Sequence, residues 1–420
     1  MTDTPAPARR HVVAMVTSSY PRFPGDLTGT FVEPIAHGIA ARGHTVHLIA
    51  PWHPRVRRPD REGDVHFHFY RYAPARRLNV FGYAGALRAD VSMRRAAYAV
   101  APFALLAGRW AIRRVVRAAR ATVVHAHWVI PSGAVAAAAA GSTPLVVSLH
   151  GSDVFVAEQH AAIRPAARYA FGRAGWVTAC SGDLRDRAVR MGADGARSEV
   201  VPYGVDVERF RPDDAARARL RDRHGIARDA GVVLAAGRLV RKKGFEHLID
   251  AAGALARRRP ELRLVVAGSG DLDRELRERA AARGIADRVT WLGTVTQPEV
   301  AGWLAAADVA AVPSVRDDAG NVDGLPNVVL ESLASATPVV ATPAGGIGAV
   351  AVDRETALVV PERDAEGLAA AIDELLGDPN LRSRIGRAAR ARVRAHHTWE
   401  RVAERFEAAY DRAAREEFAP

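Results

Sequence analysis

Between residues 231 and 360 the chain repeats one pattern: a short apolar run, a glycine-rich or polar break, then a stretch with helical spacing. The runs at 231–236, 262–267, 289–292, 308–313, 338–342 and 357–360 are too short for helices and too uniformly apolar for half-exposed strands. Helical spacing follows at 245–258, 273–283, 298–306 and 326–335. In the first of these, Phe245, Leu248, Ile249, Ala252 and Leu255 fall on one stripe. Strands joined through helices are parallel, because the crossover is right-handed. The pattern predicts a doubly wound α/β sheet, which binds ligands beyond the carboxyl ends of its strands.

The first half carries a weaker version of the same alternation. Residues 11–18 read as a strand, 21–30 as a turn-rich loop, 31–42 as a helix and 44–50 as the next strand, which makes a βαβ unit. Residues 51–95 are aromatic, arginine-rich and irregular. Residues 98–117 read as a helix with an apolar face and an arginine-rich end. Two roles compete for it, a packing helix and an amphipathic patch on anionic lipid, and packing is favoured because its polar face is not sustained. Further strands are expected at 122–128, 144–149, 176–179 and 200–205, before a linker punctuated by Pro202, Gly204 and Pro212. A polar helix follows at 213–228. A chain of 420 residues is long for one core. The expected organisation is a disordered tail over 1–10, a Rossmann-like domain over 11–205, a second over 206–380, and helices over 381–420 packing across both.

Composition narrows the function. Lysine and arginine together number 59 against 47 acidic residues, a net charge of +12, but nearly all of that excess is arginine in an alanine-rich chain and follows codon bias. There is no zinc-finger or RNA-recognition signature and no basic stripe interleaved with aromatics, so no nucleic-acid partner is expected. The single cysteine, Cys180, excludes a disulfide framework and fits a reducing compartment. The first ten residues lack the apolar core of a signal peptide. Residues 96–108 are apolar but short, hold Pro102 and run into Arg109, so they do not span a bilayer. A cytoplasmic protein is expected, with peripheral contact to the inner face of an anionic membrane left open.

Several short segments carry the chemistry. The loop 237–244 holds Lys242 and Lys243, the only lysines in the chain, between a strand and a helix start. Point charges, free backbone N–H groups and a helix dipole there suit an anion as well as they suit a solvated loop. Gly29 and Thr30 precede the first helix, where a small residue lets a ligand approach the backbone. His125 and His127 share one strand face; with His150 they raise a metal site, but no carboxylate or thiol sits at ligand spacing, and none is expected. Asp271 and Asp273 have an Asp-x-Asp form that could also hold a metal, though they read better as a helix cap. Most informative is 323–331. Pro326 suits the first helical position, Asp323 lies in the loop ahead, and Glu331 lies inside among Val328, Val329, Leu330 and Leu333. An ionised glutamate at such an apolar site needs partners, which ligand hydroxyls would supply.

These segments together resemble the GT-B-fold retaining glycosyltransferases of family 4, the glycosyl transferases group 1, over nearly the whole chain. The resemblance rests on the Gly29-Thr30-Phe31 loop, His150-Gly-Ser-Asp153, Val201-Pro-Tyr-Gly-Val-Asp206, Gly237-Arg238 with Lys243-Gly244, and the acidic pair Asp323 and Glu331. It implies that Arg238 and Lys243 hold a donor diphosphate, Glu331 the ribose and Asp323 the donor sugar. It also implies that His150 lies close to the reacting sugar and that Gly29 and Thr30 close over the phosphate. Gly268 and the turn Gly324, Leu325, Pro326, Asn327 complete the implied donor site. The implied reaction moves a hexosyl group from a nucleotide diphosphate sugar to the hydroxyl of a glycan, glycolipid or natural-product acceptor, lipid-linked acceptors included, by a same-face mechanism with no metal and no cofactor. A sugar-nucleotide epimerase on this fold and a non-catalytic sugar-binding protein are the rival readings. Two departures stand out: Asp323 where the family usually has glutamate, and Gly345-Gly346-Ile347-Gly348-Ala349, which lacks the usual glutamate. Of the two lysines, the register selects Lys243 for the phosphate and leaves Lys242 as a solvated residue.

Overall fold

The computed structural model describes residues 10–26, 28–83, 87–88, 92–93 and 95–416; the tail expected over 1–10 lies, but for Arg10, outside the described residues. The chain forms two compact units. One draws on Met1–Cys180, Leu184–Val201 and Val402–Pro420, the other on Ser181–Asp183 and Pro202–Arg401. The change of unit after Val201 falls a few residues before the boundary expected at 205, at Pro202, which has no N–H to give to a ladder.

The first unit is built on an eight-stranded sheet. Its order is Ser198–Val200, Trp176–Ala179, Leu145–Leu149, Val123–His127, Val12–Val16, Thr45–Pro51, Val65–Tyr70 and Arg61–Glu62. All neighbours are parallel except the last pair. Two expectations fail here. The stretch taken as irregular contains the strand Val65–Tyr70, which pairs residue for residue with Val46 through Pro51. Its Val, Phe and Tyr residues alternate with histidines, and imidazole is polar enough to hide the apolar face. The strand expected at 200–205 instead ends at Val200.

The second unit has six parallel strands in the order Val289–Gly293, Arg263–Ala267, Val232–Ala236, Val309–Val312, Val339–Ala341, Ala357–Val359. Counted along this unit the order is 3-2-1-4-5-6, with the reversal between Val232–Ala236 and Val309–Val312. That reversal is where the two flanking loops diverge and leave a crevice. The helix Phe245–Ala256 lays Leu248, Ile249, Ala252 and Leu255 on the sheet, all buried with Val233, Leu264 and Val309. An unanticipated helix, Ala365–Gly377, covers the same face. It is started by Asp364, whose carboxylate accepts from Gly367 N at 2.8 Å.

The chain closes with Pro379–His396 in the second unit and Trp399–Glu416, most of which belongs to the first. In the first unit Tyr410 is fully buried, with its hydroxyl 2.8 Å from His125 Nδ1. Among the described residues no helix is long and apolar enough to cross a membrane.

Candidate active site

At the strand reversal of the second unit, the loop after Val232–Ala236 tightens into a 3-10 turn, Arg241–Lys243, and enters its helix through Gly244. Gly244 sits at φ 63°, and a Cβ there would overlap the carbonyl oxygen of Pro313, just past the end of the neighbouring strand Val309–Val312. Only glycine fits so close a backbone crossing. Val315 N donates to Lys242 O at 2.9 Å, so the turn is tied to the loop beginning at Ser314.

This turn aims both lysines inward. Lys243 Nζ lies 2.5 Å from Asp323 Oδ2, and Lys242 Nζ lies 3.2 Å from Asp323 Oδ1. Lys242 is 5% exposed, so the reading of it as a solvated residue is wrong. Periodicity could not show this, because a 3-10 turn spaces successive side chains about 120° apart and changes which residue faces in. Burial would push the Asp323 carboxyl up, but Lys243 and Lys242 together hold it down at about 2. The site is therefore a compact cation–anion–cation cluster.

Asp323 leads into a buried turn, Gly324, Leu325 and Pro326, and then the helix Asn327–Ala334. Pro326 caps this helix rather than opening it: its ψ is 123°, extended, and its carbonyl accepts from Val329 N at 3.1 Å. Glu331 stands one turn inside and is partly buried. Burial pushes its carboxyl up to about 7, against the pull of Arg209 and Lys243. Arg209 was not anticipated, since no motif marks it; its guanidinium is held by Gln297 Oε1 at 2.5 Å. The two acidic residues are thus opposites, one charged over the whole working range and one poised to exchange a proton.

The glycines of the neighbouring loops form the floor. A Cβ on Gly345 would overlap the Asp323 carbonyl oxygen, and one on Gly346 would overlap that of Gly324. The segment that lacks the usual glutamate therefore still shapes the acidic turn by backbone contact. Gly268, at φ 143°, meets Gly237 in the same way. Arg238 is exposed beside them. Asp273 does not cap its helix: it is the first helical residue, follows Leu272 and accepts from Arg277 Nε at 3.0 Å.

In the first unit the sheet reverses between Val123–His127 and Val12–Val16. His150 follows the adjacent strand Leu145–Leu149; its Nε2 shares a hydrogen bond of 3.0 Å with His127 Nδ1. His125 Nε2 lies 2.7 Å from Ser148 Oγ, itself 2.6 Å from Thr178 Oγ1. Burial lowers all three histidines, His127 to about 3, so they are neutral. Asp153 fixes the turn, accepting from Val129 N at 2.8 Å, Gly151 N at 3.0 Å and His150 N at 3.3 Å. The Phe31 ring lies 4.5 Å from that of His150, which brings the segment after Gly29 and Thr30 to the same place. Gly29 has φ 65° and would place a Cβ 2.7 Å from Ser19 O. Among the described residues, the one close grouping of three metal-ligand side chains is Glu33, His37 and Glu62. Arg58 pairs with both of those glutamates.

Comparison with known proteins identifies the family. The profile described as Glycosyltransferase Family 4 matches residues 28–209, and that described as Glycosyl transferases group 1 matches 216–392. A Mycobacterium tuberculosis (strain H37Rv) protein named GDP-mannose-dependent alpha-(1-6)-phosphatidylinositol monomannoside mannosyltransferase is 36% identical over 269 residues. That alignment covers 63% of this chain and 68% of that protein. For the Mycolicibacterium smegmatis protein of the same name, the 36% identity extends over 60% of this chain and 65% of the relative, just under two thirds of its length. A Pseudarthrobacter chlorophenolicus D-inositol 3-phosphate glycosyltransferase is 38% identical over 57% of each chain. In fold, the sucrose-phosphate synthase of Thermosynechococcus elongatus superposes with a TM-score of 0.76 at 22% identity, covering 95% of this chain and 98% of that one.

Proposed function

This chain belongs to the family 4, group 1 glycosyltransferases of GT-B fold, and on that premise we propose that it transfers a hexosyl group from a nucleotide diphosphate sugar to an acceptor hydroxyl with retention. The observation that carries the reading is the Lys242–Asp323–Lys243 cluster beside the start of the helix Asn327–Ala334. A diphosphate needs concentrated positive charge; Lys243, Arg238 and the free N–H groups of a helix start supply it. Asp323 and Glu331 offer two acceptors for hydroxyls, on the sugar and the ribose respectively. His150 and the Gly29–Thr30 loop keep the roles that the resemblance implies, contact with the transferred sugar and with the phosphate.

In this reaction the bond from the anomeric carbon to the diphosphate oxygen breaks and a bond to the acceptor oxygen forms on the same face. The acceptor proton passes to the departing phosphate. Positioning and charge stabilisation supply the catalysis. With three cationic elements on the diphosphate, no metal is required, and activity is expected to survive EDTA. A loss restored by a divalent ion would contradict this.

The named activities of the relatives make GDP-mannose the first donor to try and a lipid-linked inositol glycoside the first acceptor. The test is nucleotide release across a panel of nucleotide sugars, with and without acceptor. Acceptor-dependent release with a single preferred donor supports transfer, whereas a donor interconverted with no acceptor present would point to epimerisation.

Glu331 supplies a further expected result. Ligand hydroxyls donating to its carboxylate favour the ionised form, so donor binding at a pH below about 7 must expel its proton. Affinity for an intact nucleotide sugar is therefore expected to rise with pH and level off above about 7. Glu331→Gln should flatten that dependence. Titration calorimetry across this range checks it, and an unchanged slope in the variant would remove Glu331 from the donor site.

A further inference from the structure

The helix Arg95–Ala118 carries apolar side chains on two faces, and among the described residues only one of these faces is packed. Ala104, Ala111, Ile112, Val115 and Val116 are buried, with Tyr72 and Val100 packed beside Ala104. Phe103, Leu106 and Trp110 point the other way and are 63%, 64% and 64% exposed. At 3.6 residues per turn these three lie within about 60° of one another. Of the seven exposed large apolar side chains among the described residues, four (with Leu105) belong to this helix, so the exposure is concentrated rather than scattered.

The charge around the stripe is one-sided. Arg113 and Arg117 continue it toward the C-terminus, Arg109 and Arg114 flank it, and all four are exposed. The Arg114 guanidinium carbon sits 5.4 Å from the Trp110 ring centre. From Asp90 to Asp153 the sequence holds seven arginines and not one acidic residue between them.

We propose that this face of the helix docks on the surface of an anionic lipid bilayer, with Phe103, Leu106 and Trp110 in the acyl boundary and the arginines on lipid phosphates. The stripe needs a non-aqueous phase and the arginines need anions, and a bilayer interface offers both along the roughly 21 Å from Phe103 to Arg117. A second copy of the chain fits poorly, because a two-fold contact would set this arginine surface against itself. The helix lies in the interface rather than crossing it, since its opposite face is packed on its own unit. The docking does not rest on the proposed transfer activity and is read without donor or acceptor.

The test is co-sedimentation of the full chain with phosphatidylcholine vesicles and with equimolar phosphatidylcholine–phosphatidylglycerol vesicles. The expected result is at least about tenfold stronger partition onto the anionic vesicles, weakening as salt is raised. The triple variant Phe103→Ser, Leu106→Ser, Trp110→Ser should lose about tenfold or more of that partition with its melting temperature unchanged. Arg113→Gln with Arg117→Gln should erase most of the preference for anionic lipid. Wild-type protein that stays in the supernatant, or a triple variant that sediments like wild type, overturns the proposal. So does a concentration-dependent dimer that the triple variant abolishes, which would assign the stripe to a second copy.

Discussion

Lys243→Ala is expected to lower kcat/KM for sugar transfer about 10³-fold, about 4 kcal/mol of transition-state stabilisation, while the protein stays folded. The charge removed is the one that meets the leaving diphosphate as it gains negative charge. Lys242 would remain at 3.2 Å from Asp323 to hold that carboxylate. The companion variant Lys242→Ala no longer belongs with the silent substitutions. Without Lys242 the Asp323 charge falls wholly on Lys243, drawing its ammonium from the phosphate, and a loss of about tenfold is expected. Steady-state kinetics on the two variants side by side measure the difference. Equal losses would mean that the two lysines act as one unit on the phosphate.

Asp323→Asn carries the second large effect, on stability as well as turnover. It leaves Lys242, 5% exposed, and Lys243 facing each other with no anion between them. Removing one partner of a buried charge cluster costs about 3–5 kcal/mol, read as a fall in the urea midpoint of the second unit. The pH dependence has a fixed sign. Asp323 titrates at about 2 in the folded protein, below its ordinary 3.8, so its stabilisation is present above that ordinary value. The gap between wild type and Asp323→Asn should hold down to pH 4 and close as the pH falls toward about 2. A variant as stable as wild type at neutral pH would show that the cluster contributes nothing to the fold.

What the sequence could and could not reveal follows from the kind of signal each residue leaves. In the second unit the buried strands are continuous apolar runs and the helices carry clean stripes. Arg263–Ala267, Val289–Gly293 and Asn327–Ala334 accordingly appear within a residue or two of their expected limits. The strand Val65–Tyr70 was illegible because His66 and His68 break the apolar run that marked the others. Asp323 and Glu331 were legible because acidic residues among Val328, Val329 and Leu330 contradict their surroundings. Lys242 was not, since its inward aim depends on a 3-10 turn that leaves no periodic trace. His127 and Asp153 were missed as supports of His150: His127 reaches it by a hydrogen bond from the neighbouring strand, about which spacing along one strand carries no information, and Asp153 acts through the side-chain-to-backbone bonds of the turn it closes. The exposed face of Arg95–Ala118 was half legible. Its apolar content was plain, but which residues the sheet would cover depended on the tertiary packing.

The most direct test of the central claim is the anomeric configuration of the product, followed by NMR as the enzyme consumes an α-linked nucleotide sugar in the presence of acceptor. The account predicts an α-glycoside from the first turnovers, with nucleoside diphosphate released in equal amount. A β-glycoside, or a sugar nucleotide isomerised with no acceptor consumed, would contradict it.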